Sequence, residues 1–257
     1  AVIKCGSGTN NIDHAACTKL GIIVAHTPND PTEPTSDHTI AMLFTAARRT
    51  VAQDRMIRSG FWNARACLPV GQFSGANLGV IGFGRIGKAI ISKLSGCKMN
   101  VRVYDPFVDA AAIEQSCAKK TNLEELLKES QYVLVCCPLM DETRGLLGEN
   151  ELRMMRRDAI LINCARGGIV DEAALKNALK EGRIGAAALD SMEEHPEPGD
   201  EWFSFDNVNF TPHLGGYGAR YPDDQFESPV EVVIEMSKMH LPKWIANKGV
   251  VPKWNMT

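Results

Sequence analysis

Long apolar runs are missing from this 257-residue chain: none approaches the roughly 18 residues that cross a bilayer. The first residues show no basic-then-apolar pattern. Charge of one sign is scarce. The net charge of −3 gives neither nucleic acid nor an anionic membrane a reason to bind. Metal-ligand spacing is absent too. The eight cysteines, Cys5, Cys17, Cys67, Cys97, Cys117, Cys136, Cys137 and Cys164, form no C-x-x-C pair and no His/Cys cluster. Most lie in apolar segments, where a thiol behaves as a small hydrophobe. We expect a reducing, cytoplasmic setting, no structural disulfide and no metal. Fixed-period repeats and low-complexity tracts are also lacking. What is there, 44% apolar and 23% charged residues, is an ordinary globular composition for one large domain or two smaller ones.

The most informative stretch runs from Asn77 to Asp105. Leu78–Ile81 reads as a short buried strand, Arg85–Leu94 as a helix and Asn100–Tyr104 as a second strand. Gly82, Gly84 and Gly87 form G-x-G-x-x-G between them. Gly82 permits the tight turn, Gly84 lets backbone approach a pyrophosphate, and Gly87 lets helix and strand pack closely. The helix start, with Arg85 and Ile86, offers N–H groups and a positive dipole end to phosphates. Asp105 lies roughly 20 residues beyond the glycines, where a carboxylate accepts from ribose hydroxyls. The same carboxylate repels a 2′-phosphate, and Pro106-Phe107 brings no cation to receive one. NAD is therefore expected over NADP.

Ala1–Cys5 is a strand candidate, so the chain starts inside an element and we expect it to be truncated. The turn Gly6-Ser-Gly8 follows, then a helix from His14 to Leu20 and a strand Ile22–Ala25. Proline and turn formers from His26 to Pro34 read as a linker between two lobes. His38–Ala47 reads as a buried helix. Arg48, Arg49 and Arg55 read as helix-end and surface charges, and Phe61-Trp62 as core or subunit contact. Beyond Asp105 the βα rhythm continues: helix 123–128, strand 132–137, helix 149–156, strand 159–164, a helix capped by Asp171 and stopped at Gly182, strands 184–189 and 208–213, and an amphipathic helix 225–239. Such alternation predicts an α/β, doubly wound parallel sheet, a Rossmann-type nucleotide-binding domain. Ligands of these sheets bind beyond the carboxyl ends of the strands. Pro138, Thr143, Cys164, Asp190 and Gly215 join the cofactor-binding candidates on that ground.

Three groups there carry chemistry. Arg166, before Gly167-Gly168, has the guanidinium that pairs bidentately with a carboxylate, against the plainer reading of a surface arginine on a turn. His213, after Thr211-Pro212, suits proton transfer near neutral pH, although a lone histidine is more often structural. Asp190 is either a buried acceptor for a nicotinamide carboxamide or a cap.

Four segments, Gly82-Phe-Gly-Arg-Ile-Gly87, Asn163-Cys-Ala-Arg-Gly-Gly168 with Ile169-Val-Asp171, Ala188-Leu-Asp190 and Pro212-His-Leu-Gly215, resemble the D-isomer-specific 2-hydroxyacid dehydrogenase family, the phosphoglycerate dehydrogenase-like proteins. The resemblance spans essentially the whole chain and weakens after Gly216. It implies a nucleotide lobe inserted into a smaller substrate lobe, a homodimer, and hydride transfer between NAD(H) and C2 of a small 2-hydroxy or 2-oxo acid. It casts Arg166 as substrate clamp, His213 as proton donor, the Ser7-Gly8 backbone as carboxylate holder and Asp190 as partner of the nicotinamide. Residues 1–26 then correspond to a remnant of the substrate lobe, 27–216 to the nucleotide domain and 217–257 to a helix returning to the substrate lobe. The C-terminal segment is not expected to replace the missing strands.

Two departures stand out. Only the end of the substrate lobe precedes the linker. At the loop position where the family carries Glu before Pro, this chain has His195 before Pro196, with Glu194 one residue early. We expect Glu194 to substitute in part as the carboxylate beside His213. A different class, a non-catalytic NAD-sensing interaction protein of the same fold, is the alternative, and a formate-oxidising relative a third.

Overall fold

Val2–Lys4 (β1) and Val24–His26 (β2) pair in parallel, with Ile3 level with Ala25, and His14–Lys19 (α1) joins them. This computed structural model describes residues 1–28, 31–63, 69–218 and 223–253. Cys67 and the linker residues Asn29 and Asp30 lie outside the described residues. Asp13 caps α1 by accepting from the Ala16 N–H at 2.8 Å. The chain falls into two compact units, residues 1–35 with 216–257, and residues 36–215.

In the first unit the C-terminal segment supplies more than the expected helix. Ala25 forms an antiparallel bridge with Ile245, and the Ala246 N–H donates to Val24 O at 2.8 Å. Asn247 ties three stretches of chain together: its Oδ1 accepts from the Val24 N–H, and its Nδ2 donates to Thr18 Oγ1 and Ile22 O. Those partners offset the desolvation of a buried amide. Ile23, Ala25 and Val232 form the core here, with Ile3 and Met236 packed against it. Val232 and Met236 come from Asp223–Ser237, a helix on which Val230, Val233 and Ile234 are exposed, so apolar residues at its described positions are not confined to one buried stripe.

The linker is shorter than expected because Thr32–Arg48 is already helical (α2). Pro34 sits in its first turn, where a missing N–H breaks no intrahelical bond. Thr50–Arg58 (α3) follows after a left-handed Arg49, a helix that the sequence pattern does not mark as separate.

The second unit holds Asn77–Ile81 (β3), Arg85–Lys93 (α4), Asn100–Tyr104 (β4), Ala110–Glu114 (α5), Lys119–Lys120 (β5), Leu123–Glu129 (α6), Tyr132–Val135 (β6), Glu149–Met154 (α7), Ile160–Asn163 (β7), Glu172–Lys180 (α8), Ala186–Leu189 (β8) and Val208–Phe210 (β9). The strands form one parallel sheet in the order β5-β4-β3-β6-β7-β8-β9. The order reverses between β3 and β6, the switch point at which such sheets bind ligands. β6, β7 and β8 are buried at every position, as strands covered on both faces must be.

Alternation sorts the strand residues into two cores. Leu78, Val80, Leu134, Ile162 and Ala188 face Met42, Leu43, Ile90 and Ile91 of α2 and α4. Val133, Val135, Leu161, Ala187 and Leu189 face Leu126, Leu152, Leu175 and Trp202. Register then aligns the strand ends: Tyr104, Ile81, Val135, Asn163, Leu189 and Phe210 form one row across the sheet. No helix among the described residues is long and apolar enough to cross a membrane.

Candidate active site

Everything singled out between residues 82 and 215 lies just beyond that row. Gly82 adopts φ +99°, and a Cβ there would meet Cys137 N at 2.8 Å. Only glycine satisfies both the left-handed turn and the close approach. A Cβ on Gly87 would run into Gly82 O, so α4 packs against the turn at backbone distance. Around Gly84, the residue that caps α4, nothing would meet a Cβ within 4 Å. The first intrahelical bond of this turn is Lys88 N–H to Gly84 O. The Ile86 and Gly87 N–H groups precede it and point out of the helix start. Such a turn has the shape and the free donors to receive a pyrophosphate. Gly87→Ala is expected to destabilise the protein by about 3 kcal/mol, since backbone cannot yield as a side chain does. Urea unfolding checks this, and an unchanged midpoint would contradict the close packing.

Asp105 closes the nucleotide end. Its Oδ2 accepts from the Phe83 N–H and its Oδ1 from the Phe107 N–H, at 2.8 and 2.9 Å. The carboxylate is thus fixed on the glycine turn with acceptor capacity left over. Phe83 itself is buried, while Arg85 is exposed and Ile86 packs at the edge of the core. The turn, the helix start and Asp105 together fit a dinucleotide.

Other cofactor candidates have different local tasks. Thr143 Oγ1 donates to Pro138 O at 2.6 Å and accepts from the Met140 N–H, closing the loop after β6 on itself. The Cys164 side chain is turned into the core, where burial pushes its thiol up to about 12, so only its backbone faces the loops. Gly215 is buried, and its N–H is already used by Asp190.

Asp190 has a structural task that its own neighbours in sequence do not show. It is only 3% exposed, and protein groups contact both carboxylate oxygens. Oδ1 accepts from Thr211 Oγ1 at 2.6 Å and the Leu214 N–H at 2.8 Å, Oδ2 accepts from the Gly215 N–H at 2.8 Å, and His38 Nε2 lies 3.2 Å from Oδ1. In this structure Asp190 clamps the loop that carries His213. His38 gives no sequence signal beyond opening a helix, because its partner Thr211 is 173 positions away.

Arg166 is half-buried on the turn after β7. Asn163 Nδ2 donates to its carbonyl at 2.8 Å and fixes the turn. The guanidinium reaches only Ala165 O, at 2.6 Å, and no carboxylate of the described residues pairs with it. Burial lowers its pKa by disfavouring the charged form. A partly desolvated cation without a counter-ion is a costly arrangement that an anionic ligand relieves. A Cβ on Gly167 would clash with Glu193 N and Met192 O, so the loop after β8 crosses directly over this turn. That loop is pinned by the Arg144–Glu193 ion pair at 2.7 Å and by the Glu193 N–H donating to Glu172 Oε1 at 2.6 Å. Burial, with Glu193 nearby, raises the Glu172 carboxyl.

His213 is exposed, with φ +56° and its N–H donating to Thr211 O at 3.0 Å. The expected pairing with Glu194 is not formed. Glu194 and His195 are both exposed, and neither makes a hydrogen bond or ion pair among the described residues. The pinned acid of that loop is Glu193, which points to Arg144. In the other unit, Gly6 takes φ +100° and its N–H donates to Thr27 Oγ1, while Ser7 O is held by His26 Nδ1 at 3.1 Å. No hydrogen bond among the described residues uses the Ser7 or Gly8 N–H.

The model of the D-isomer specific 2-hydroxyacid dehydrogenase NAD binding domain matches residues 40–215. A glyoxylate reductase of Pyrococcus furiosus is 38% identical over 250 residues, 95% of this chain and 74% of that enzyme. A D-3-phosphoglycerate dehydrogenase of Archaeoglobus fulgidus is 40% identical over 212 residues, 82% of this chain and 40% of that longer protein. Among solved structures, the D-lactate dehydrogenase of Aquifex aeolicus, complexed with NAD and lactic acid, superposes with a TM-score of 0.85 at 28% identity, over 92% of this chain and 75% of that one. All three are named as enzymes, which supports the catalytic reading over the sensing alternative.

Proposed function

Since this chain belongs to the D-isomer-specific 2-hydroxyacid dehydrogenase family, we propose that it moves a hydride between NAD(H) and C2 of a small 2-hydroxy or 2-oxo acid such as glyoxylate. The observation that carries the reading is the half-buried Arg166 guanidinium, which pairs with no carboxylate of the described residues, two strands along the sheet from the glycine turn. NAD(H), when bound, supplies the hydride for reduction or accepts it in oxidation. Gly82, Gly84, Ile86 and Gly87 bind its pyrophosphate, and Asp105 its ribose. Arg166 clamps the acid and fixes the carbonyl's orientation. His213 donates a proton to the carbonyl oxygen as C2 is reduced, and takes it back in oxidation. Ser7 and Gly8 are the proposed backbone donors to the carboxylate.

Loss of NADH absorbance with glyoxylate, hydroxypyruvate and pyruvate tests the reading. NADH binding with no turnover on any of these acids would remove it. Asp105 adds a preference: NADPH is expected to bind about 100-fold more weakly than NADH, about 2.7 kcal/mol, from carboxylate–phosphate repulsion. In Asp105→Ser the gap should narrow to about tenfold; fluorescence titration of the two cofactors measures it.

The exposed pair Phe61 and Trp62, 65% and 76% accessible, fits a subunit contact, and a homodimer is part of the proposal. Light scattering reads the mass. A cytoplasmic setting is proposed on the thiols: burial raises Cys136, Cys137 and Cys164, so these stay protonated at neutral pH.

A further inference from the structure

We propose that His38 is a positioning residue that holds the backbone of His213 in its left-handed turn. The inference rests on the proposed role of His213, but its structural half can be read without turnover.

The geometry converges on one buried carboxylate. On the N-terminal side of His213, Thr211 Oγ1 donates to Asp190 Oδ1 at 2.6 Å. On the C-terminal side, the Leu214 and Gly215 N–H groups donate to Oδ1 and Oδ2, both at 2.8 Å. His213 is thus bracketed, and a φ of +56° is forced on a residue whose Cβ makes that conformation strained. His38 approaches from α2, with Nε2 at 3.0 Å from Thr211 Oγ1 and 3.2 Å from Asp190 Oδ1.

Proton counting assigns the direction. The Thr211 hydroxyl has one hydrogen, and the shorter contact places it on Asp190. Both atoms facing His38 are then acceptors, so Nε2 must carry a proton. His38 donates into the pair, in the Nε2–H tautomer or as the imidazolium. Its side chain is 21% accessible while that of Asp190 is 0%, so the imidazole shields the carboxylate from water as it donates. Without that donor, Asp190 and Thr211 would draw in solvent, and the bracket around His213 would lose its fixed end. Asp190 and Thr211 act on the loop directly; His38 acts through them. Nothing in this arrangement requires His38 to touch substrate.

The test compares His38→Leu with His38→Gln, whose amide can still donate. Hydrogen exchange of the Leu214 and Gly215 amides, followed by mass spectrometry, should quicken at least about tenfold in His38→Leu, with exchange in β6 and β7 unchanged. In His38→Gln it should stay close to wild type. Turnover of glyoxylate at saturation should fall about 100-fold in His38→Leu with NADH affinity within about twofold, and most of the loss should be recovered in His38→Gln. Wild-type exchange in His38→Leu would overturn the proposal. So would equal impairment in both variants, or a rise in exchange throughout the sheet with loss of NADH binding, which would make His38 a packing residue. If the wild-type protein reduces no acid, the enzymatic reading fails while the exchange experiment still decides the positioning role.

Discussion

His213→Gln is expected to slow the turnover of glyoxylate by about 10²–10⁴-fold, the usual span for a lost general acid. NADH affinity should stay within about twofold, because the glycine turn and Asp105 are untouched. The size of the effect follows from where the imidazole sits. It is exposed at the end of the sheet, on a loop clamped on both sides by Asp190. Reduction leaves an alkoxide at C2 unless a proton arrives with the hydride. Glutamine keeps the volume and a hydrogen-bonding head but has no proton to give near neutral pH. Stopped-flow NADH oxidation would separate chemistry from cofactor release. A rate within about threefold of wild type would show that water or another group protonates the product.

The second large effect concerns Arg166. Arg166→Gln should reduce kcat/KM for glyoxylate by about 10²–10³-fold, about 2.7–4.1 kcal/mol, the cost of removing one partner of a desolvated charge pair. Arg166→Lys should recover only part, since an ammonium is a point charge and cannot grip two oxygens in a plane. An aldehyde without a carboxylate offers the control: wild type and Arg166→Gln should reduce it at similar, low rates. Equal losses on charged and uncharged substrates would make Arg166 a scaffold of the turn. That turn has its own support, since Asn163 and not the guanidinium holds the Arg166 carbonyl.

The two variants probe different steps. In the proposed reaction Arg166 acts in the encounter and the transition state alike, so its loss should move kcat/KM most. In the same proposal His213 acts only as charge develops on the carbonyl oxygen, so its loss should move kcat. The altered loop at Glu194 and His195 does not change this division, because both side chains are exposed and neither makes a hydrogen bond or ion pair among the described residues. The carboxylate expected to support the histidine is replaced here by support of its backbone.

The class of fold and the glycine turn after β3 were legible in the order of residues alone. Those features are local. A strand, a glycine turn and a helix are written within neighbouring residues, so 82–87 and Asp105 are legible from spacing, and the runs at 132–135 and 160–163 from continuous apolarity. How the loop carrying His213 is held emerges only from the folded chain. The left-handed His213, the hydrogen bonds of Asp190, the donor from His38 and the passage of Glu193 over Gly167 each join segments that only the stacked strand ends bring together. Asp190 reads as a nicotinamide partner in the sequence because an acid at a strand end has the same local signature in either role. Its partners lie up to 152 positions away, and a hydrogen bond between chain segments so far apart is set by packing of the sheet, not by the residues beside it (190 − 38 = 152).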